Sequence, residues 1–315
     1  IQYFLDKDRF AENEKRLNEA RAAKGLPERT QIIDGPLVVF AAGNSGLAAS
    51  SYPGALMNCI CVTATGPDGY PAYYTNYGPG CNVAAPGGDI YLNMSTAKSD
   101  ILSTVISDPS AGISDYGYQG GTSMACPHVS GVAALGLSYA KQLGKRYSAS
   151  EFRSMLLSAT NNIDPFLTGS LKITFENGAT QTISYPAYKG KLGAGYIDAY
   201  KLLLQIDGTP YVVVATNKEN SVSLARFFGD GVHNAKLHKI EISDEDRAAI
   251  GLGDCTFSAG KLNLTCSKSG VATISITLLV GGGSLEDKNL PHPIEVTKRF
   301  VLMAKGGVGA NGGWL

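Results

Sequence analysis

A serine at the start of a helix of small residues is the feature of this sequence with the clearest chemical potential. Ser123 follows Gly120, Gly121 and Thr122 and leads into the run SMACPHVSGVAAL. At a helix start, backbone N–H groups and the helix dipole would stabilise negative charge developing beside the serine. Two consecutive glycines let a substrate backbone approach closely and let the chain turn tightly. An N-capping serine would explain Ser123 alone but not this whole pattern.

The segment GTSMACPHVSG, residues 121–131, resembles the active-site serine motif of the subtilisin family. Eleven positions that match and run into a helix of the right kind are far more specific than a bare Gly-Thr-Ser. The resemblance implies a serine endopeptidase that hydrolyses peptide bonds through an acyl-enzyme on Ser123. It also implies that Gly121 and Thr122 lie in the substrate-binding region.

A second block, VVFAAGNSG at residues 38–46, resembles the family's strand and loop that carry the oxyanion-hole asparagine. This resemblance assigns that role to Asn44. Acyl transfer needs a donor positioned where the tetrahedral intermediate's O⁻ forms, and an Asn amide together with the Ser123 backbone N–H would supply it. Ala41, Ala42 and Gly43 are implied to line one side of a roomy, apolar substrate pocket.

Further matches follow in the family's order. They are SYPGALMNCICVTAT, YYTNYGPGCNVAAPGGDI, YSASEFRSMLLSAT and LGAGYIDAYKLL, so the resemblance covers residues 36–204 apart from an inserted segment. A polypeptide is therefore the implied substrate. Family members often bind structural calcium, but no acidic motif here predicts a metal site, and no cofactor is expected.

The catalytic base and acid are missing from this pattern. A serine hydroxyl needs a base hydrogen-bonded to it and a third group that orients the base. In this family the order is Asp, His, Ser, and no histidine precedes Asn44 in this chain. His128 lies five residues after Ser123, about 140° around a helix and ~7.5 Å along it, so we predict that it is not the base. The remaining histidines belong to the C-terminal region: His233, His238 and His292.

Three aspartates precede Asn44 without the Asp-[Ser/Thr]-Gly context of the family, and we interpret them as solvated charges: Asp6, Asp8 and Asp34. The chain opens IQYFLDKDRF, without Met or a signal peptide, so we expect it to begin inside a longer product. We expect it to be inactive alone and to need an N-terminal part of the same protease that carries Asp and His. A pseudoprotease scaffold, with the C-terminal domain binding protein or carbohydrate, is the alternative.

The elements around these motifs predict an α/β fold with a partial doubly wound, mostly parallel sheet. Apolar runs predict buried strands at 36–42 and 55–65, with a further candidate at 100–106. A charged surface helix is predicted at 5–24, a helix of small residues that can be fully buried at 122–143, and a third helix at 148–160. The third opens with a Ser-x-x-Glu capping box at Ser148.

The domain organisation changes near residue 205. Residues 1–205 are predicted to be the catalytic portion, with an inserted hairpin at 164–190 whose Asn177-Gly178 pair signals a type I′ turn. Alternating strands predict a smaller all-β sandwich at 206–305. Residues 306–315 are a Gly-rich tail.

Composition excludes several classes of partner. The 315 residues carry 27 basic and 27 acidic side chains, so no global field favours nucleic acid, and no apolar run is long enough to span a membrane. We interpret Cys59 and Cys61 as buried free thiols. Cys255 and Cys266 are expected to face each other across a hairpin about Gly260. In an oxidising compartment they could form a disulfide, and the sequence does not decide whether they do. The resemblance implies an extracytoplasmic enzyme, whether secreted, periplasmic or attached to the surface.

Overall fold

The computed structural model describes residues 6–92, 99–108, 110, 112, 115–280 and 293–306. The chain divides into two compact units, residues 1–207 and 208–315, which are described separately. The predicted boundary between residues 205 and 206 lies just before this division. The tail predicted from residue 306 lies outside the described residues from 307 onward, as does His292.

The first unit alternates short strands with helices. Its helices are Lys7–Ala22 (α1), Thr122–Gln142 (α2), Ala149–Ser158 (α3) and Ala199–Asp207 (α4), with 3₁₀ turns at Ile90–Leu92, Asp164–Phe166 and Tyr185–Tyr188. Its strands are Val39–Ala41 (β1), Ile60–Thr65 (β2), Val83–Pro86 (β3), Ile101–Thr104 (β4), Tyr116–Gln119 (β5), Thr160–Asn161 (β6), Ser170–Thr174 (β7), Thr180–Ser184 (β8) and Tyr196–Ile197 (β9). The three predicted helices are confirmed, as is the capping box, in which Ser148 Oγ accepts from Glu151 N at 3.1 Å.

A five-stranded sheet forms the centre of this unit, in the order β1-β2-β3-β9-β6. Strands β1, β2, β3 and β9 pair in parallel, and only β6 runs antiparallel, so the predicted α/β class with a mostly parallel sheet is confirmed. Every residue of β2 is buried, including Thr63 and Thr65, whose hydroxyls donate to Val83 O and Ala85 O of β3, both at 3.3 Å. Strand β1 forms one edge of the sheet.

The strand predicted at residues 100–106 forms, but it is not a buried strand of the central sheet. This strand, β4, pairs antiparallel with β5, and three of its four residues are exposed. The third parallel strand is β3 instead. A short apolar run has the same composition in either setting, and the partner that decides between them lies elsewhere in the chain.

Helix α2 packs on the sheet with one face only, so the expectation of full burial is wrong. It contacts β1, β2, β3 and α4. Its buried positions recur with helical spacing: Thr122, Ala125, Val129, Ala133, Gly136 and Ala140. On the other face Ser130, Gly131 and Ala134 are exposed, and Leu135 is 48% exposed. Small residues make close packing feasible, but whether a second layer covers them depends on other parts of the fold.

The inserted hairpin forms as β7 and β8, paired antiparallel. Its last pair is Thr174 with Thr180, which leaves five residues in the loop, too many for the predicted type I′ turn. Only Gly178 of the Asn-Gly pair has a positive φ, at 79°. The pairing of β7 with β8 therefore sets the length of the loop, and the Asn177-Gly178 sequence alone does not predict the turn type.

Aromatic rings attach this insertion to residues 70–77. Phe175 lies 6.2 Å from Tyr73, centroid to centroid. Tyr185, which follows β8, stacks on Tyr70 with centroids 4.3 Å apart, and a similar contact joins Tyr188 to Tyr77 at 4.2 Å. Such pairs contribute about 0.5–1.5 kcal/mol each beyond the burial of their area, so the insertion helps to fix this segment.

The second unit consists mainly of strands. They are Tyr211–Ala215 (β10), Glu219–Ser223 (β11), Lys236–Glu241 (β12), Thr256–Ser258 (β13), Lys261–Thr265 (β14), Gly270–Val280 (β15) and Ile294–Lys305 (β16). Two short helices, Ala225–Phe228 (α5) and Asp244–Ile250 (α6), interrupt them, so the unit is not purely β as predicted. The sheets have the orders β10-β16-β15-β12 and β11-β14-β13, and both contribute to one apolar cluster.

All six cysteines are free, and Cys59 and Cys61 are buried as predicted. The hairpin at residues 256–265 is confirmed, but its register pairs Thr256 with Asn263. That register does not set Cys255 opposite Cys266, because the two residues are not equally far from the turn. The expectation that they face each other is therefore wrong.

Asp68 lies two residues before the segment 70–77 that the insertion contacts. Its carboxylate accepts a hydrogen bond from Tyr70 N at 3.1 Å. Burial raises the pKa of this carboxyl to about 6, and the charge of Asp89 adds to the rise. Because the folded state binds the proton more tightly than the unfolded chain, this contribution to stability is full below pH ~4 and is lost as the pH rises to ~6.

We therefore predict that Asp68→Asn raises the free energy of unfolding by about 1–2 kcal/mol at pH 7 and has little effect near pH 3.5. The neutral amide keeps an oxygen acceptor for Tyr70 N and removes a partly buried charge. Urea unfolding at the two pH values measures the difference, with the exposed Asp115→Asn as a matched control. An equal effect of Asp68→Asn at both pH values would contradict the prediction.

Candidate active site

Ser123 is the second residue of α2, and its side chain is exposed. Gly121 precedes the helix with a φ of 156°, and its carbonyl accepts from Met124 N at 2.9 Å and Ala125 N at 3.2 Å. A Cβ at Gly121 would lie 3.3 Å from Asn44 Nδ2, so both the backbone conformation and the space favour glycine. The serine thus stands in the first turn, where N–H groups have no partner within the helix.

Asn44 joins the loop after β1 to the start of α2. Its Oδ1 accepts from Thr122 N at 2.9 Å and from Thr122 Oγ1 at 2.7 Å. Gly43 N donates in turn to Thr122 Oγ1 at 3.2 Å. Residues almost eighty positions apart are thereby held together, and Asn44, Gly43, Thr122 and Ser123 form one site.

The same contacts orient the amide of Asn44. Thr122 N can only donate, so the atom of Asn44 that faces it must be the oxygen. The Nδ2 group is then directed away from Thr122 N, and no described residue accepts a hydrogen bond from it. Asn44 is exposed, so an N–H donor is available beside Ser123 for an oxygen of a bound molecule.

The predicted pocket wall is only partly accessible. Ala42 is fully buried, and its backbone pairs with Val62 O at 2.9 Å and with Ser51 N at 2.8 Å. Ala41 and Gly43 on either side of it are half-buried. The segment can therefore present the side chain of Ala41 and the backbone of Gly43 to a ligand, but not the side chain of Ala42.

Asn76 holds the loop that carries Asn44, a role that sequence reasoning missed. It is 1% exposed, and its Oδ1 accepts from Ser45 N at 3.0 Å and Leu47 N at 3.1 Å. Its Nδ2 donates to Ala42 O at 3.0 Å. One buried amide therefore fixes both ends of the loop that carries Asn44. The only signal was the block YYTNYGPG, which matched a family motif without indicating this contact.

Gly43 leaves room for this support. Its φ is 105°, and a Cβ there would stand 2.5 Å from Asn76 Nδ2 and from Ser51 Oγ. A larger residue would push the supporting amide away from the loop. The small size of this position is thus required by packing as well as by the backbone conformation.

No histidine is hydrogen-bonded to Ser123 in the described part of the chain. His128 Nδ1 lies 2.8 Å from Met124 O, so the proton is on Nδ1 and the ring is held against its own helix. His233 contacts Ala259 O at 3.0 Å, and His238 lies 3.7 Å from Glu295, both within the second unit.

Two open grooves flank the candidate nucleophile's helix. One, of about 520 Å³, is lined by Ser123, His128 and the apolar side of α2 together with β4. The other, of about 600 Å³, lies along the edge strand β1 and includes Phe10, Val38 and Ser130. Apolar side chains and main-chain groups of a sheet edge are therefore accessible on both sides of α2.

The acids upstream of Asn44 have local roles. Asp6 caps α1 through Asp8 N and Arg9 N. Asp34 accepts from Lys7 Nζ and Ala149 N, both at 2.7 Å, and these hydrogen bonds keep the pKa of Asp34 below its usual value. Neither contacts a histidine.

Among the described residues, no three acidic, His or Cys side chains converge as a metal site. None of the described helices could cross a membrane.

Comparison with known proteins identifies the family. The model of the subtilase family matches residues 8–231. The extracellular basic protease of Dichelobacter nodosus is 40% identical over 132 residues, which are 41% of this chain and 20% of that protein. The extracellular protease of Xanthomonas campestris is 44% identical over 106 residues, 33% of this chain and 16% of that protein.

A solved protease from Pseudoalteromonas arctica is 33% identical, with a TM-score of 0.40, and covers 55% of this chain and 43% of its own. The chain thus matches about a fifth or less of the length of these two extracellular relatives.

We predict that Asn76→Leu accelerates hydrogen exchange at the Ser45 and Leu47 amides by about 10–100-fold, because each loses a buried acceptor. The Gly43 amide, which is bonded to Thr122 rather than to Asn76, should also exchange faster if Asn76 positions the loop. Asn76→Asp keeps the two acceptor contacts and should give a smaller change. Exchange that rises equally at Val129 in α2 would indicate general destabilisation and contradict a positioning role.

Proposed function

The chain belongs to the subtilase family, and on that premise we propose that it carries the nucleophile and oxyanion hole of a subtilisin-type serine endopeptidase. The observation that carries this proposal is the orientation of Asn44. Its oxygen is bound to Thr122, and its amide nitrogen remains as a donor beside the exposed Ser123.

The proposed reaction begins when Ser123 Oγ attacks the carbonyl carbon of a peptide bond. The carbonyl oxygen becomes an oxyanion, which Asn44 Nδ2 and the Ser123 backbone N–H stabilise at the positive end of α2. Collapse of this intermediate expels the amine and leaves an acyl-enzyme on Ser123, which water hydrolyses. The substrate is a polypeptide that lies against Ala41 and Gly43, whereas Gly121 is buried.

A base must remove the proton from Ser123, and we propose that an N-terminal segment of the same protease supplies it. That segment would carry the His and the orienting Asp in the family's order. Three features support it as the occupant: the exposed small-residue face of α2, the free edge of β1 and the groove beside Ser123. A partner that covers this face would bury Leu135 and Ala134 while placing its imidazole at the serine.

An extracytoplasmic location fits this proposal. Two of the relatives are named extracellular proteases. No cofactor is needed for the chemistry, because acyl transfer from serine requires only a base, an orienting acid and an oxyanion hole. Calcium, if bound, would serve structure rather than the reaction.

The first test is labelling of Ser123 by a serine-directed phosphonate. We predict no labelling of this chain alone, because the hydroxyl lacks a base, and rapid labelling once a separate segment with the Asp and His motifs is added. Mass spectrometry locates the label, and Ser123→Ala is the control. Rapid labelling of the chain alone would contradict the account of the missing base. No labelling in the complemented protein would favour a scaffold without catalysis.

The second test separates the donor role of Asn44 from its structural role. Asn44→Asp keeps an oxygen for Thr122 but replaces the N–H donor by a second, negatively charged oxygen. In the complemented enzyme we predict a loss of about 10²–10³ in kcat with a small change in KM, the magnitude known for subtilisin itself. Asn44→Ala, which also loses the Thr122 contacts, should be at least as damaging. A kcat close to wild type in Asn44→Asp would exclude Asn44 as an oxyanion donor.

A further inference from the structure

The hydroxyl of Tyr74 binds the loop that follows β3, beside the start of α2. Tyr74 Oη lies 2.8 Å from Gly87 O and 2.6 Å from Gly88 O. A carbonyl oxygen can only accept, so the phenol is the donor and shares its one proton between the two acceptors. The ring packs edge-on against Tyr73, with centroids 5.2 Å apart. This half-buried side chain is therefore bound to main chain at the end of the central sheet.

The phenol keeps its proton in this setting. Burial raises the pKa of Tyr74, and the charges of Asp89 and Asp100 add to the rise. Asp89 is 2% exposed and accepts from Tyr73 N and Tyr91 N, both at 3.0 Å, so its carboxylate has donors of its own. The hydroxyl of Tyr74 thus remains a donor to the glycine carbonyls at neutral pH.

The loop after β3 connects Tyr74 to the candidate nucleophile. Gly87 O, one of the two acceptors, also accepts from Gly121 N at 2.8 Å. Gly121 caps α2 and lies two positions before Ser123. A Cβ at Gly87 would stand 2.9 Å from Gly121 O and 3.0 Å from Tyr74 Oη, so these groups meet in a space that a side chain would fill.

The amides of the same loop are fixed to the central sheet. Gly87 N and Gly88 N both donate to Thr65 O, at 2.9 Å and 3.1 Å. Thr65 is the last residue of β2 and is fully buried. With its amides bound to β2 and its carbonyls bound to Tyr74, the loop offers Gly121 N an acceptor in a fixed position.

These contacts determine the backbone just before Ser123. Gly121 N is bound to Gly87 O, and Thr122 N is bound to Asn44 Oδ1 at 2.9 Å. The next amide is that of Ser123, the second oxyanion donor in the proposed function. At the start of a helix this N–H has no partner within the helix. Its direction follows from the two fixed peptide groups that precede it.

We propose that Tyr74 is a positioning residue for the nucleophile. Its hydroxyl fixes Gly87 O, which holds Gly121 and thereby directs the Ser123 N–H towards the oxyanion. This inference rests on the proposed function, because it concerns how the same site is held for the reaction. Tyr74 itself does not touch the substrate in this account.

The two oxyanion donors then have separate supports from one segment. Asn76 holds the loop that carries Asn44, whereas Tyr74 holds the acceptor that binds the start of α2. Both supporting side chains belong to residues 70–77, which the inserted hairpin contacts through aromatic rings. Loss of either support should therefore affect one donor without removing the other.

The test compares two substitutions that each remove one hydroxyl. Tyr74→Phe keeps the ring, and the matched control Thr63→Val removes a hydroxyl that donates to Val83 O at 3.3 Å, between β2 and β3. Urea unfolding measures the stability lost in each variant. In this chain alone we expect the Gly121 amide to exchange about 3–10-fold faster in Tyr74→Phe, relative to Val129 in α2, and to be unchanged on that scale in Thr63→Val.

The second measurement uses the chain complemented with a segment that carries the Asp and His motifs. We expect Tyr74→Phe to lower kcat by about 3–10-fold, as the loss of one hydrogen bond implies, with little change in KM. The Ser123 N–H acts on the oxyanion, which exists only beyond the ground state, so the loss belongs in kcat. Thr63→Val should keep the wild-type kcat.

Three results would overturn the proposal: an equal loss of kcat in both variants, a loss confined to KM, or an unchanged exchange rate at Gly121 in Tyr74→Phe. If the complemented wild-type chain does not cleave peptides, the proposed function fails. The exchange rate at Gly121 then still decides whether Tyr74 holds the start of α2, so the two failures are distinguishable.

Discussion

The contact between Asn44 and Thr122 is the interaction on which the proposed site depends. Two hydrogen bonds to one carbonyl oxygen connect the loop after β1 with the first turn of α2. They set the distance between loop and helix and, because the oxygen is occupied, they also decide which way the amide nitrogen points. A single side chain thus acts as a structural link with its oxygen and is free for chemistry with its nitrogen.

This link is itself supported at several levels. The buried Asn76 fixes the backbone on both sides of Asn44, and the segment that carries Asn76 is held by aromatic contacts with the inserted hairpin. Buried amides with satisfied donors and acceptors make such loops rigid, since each contact is costly to break in an apolar environment. The hairpin insertion therefore has a structural role in the first unit, although it is remote in sequence from Ser123.

The opposite side of α2 is exposed. Its small residues are suited to close packing, yet Gly131 and Ala134 are exposed, and the neighbouring strand β1 lies at a sheet edge. Exposed apolar surface next to an unpaired strand edge is unfavourable for a protein unless a partner covers it. In the proposed function, the same N-terminal segment would supply the base and cover this face.

Local features of this protein were determined by sequence alone. The helix at 122–142, the Ser148 capping box and the buried strand β2 depend on neighbouring residues, and so their patterns predict them. The nucleophile and oxyanion candidates came from motifs whose spacing is specific. Tertiary structure decided the rest: β4 pairs with β5 rather than the central sheet, the Cys255 hairpin has its own register, and Asn76 supports Asn44. These outcomes depend on contacts between residues far apart in the chain, and such contacts leave no periodic signal in the sequence.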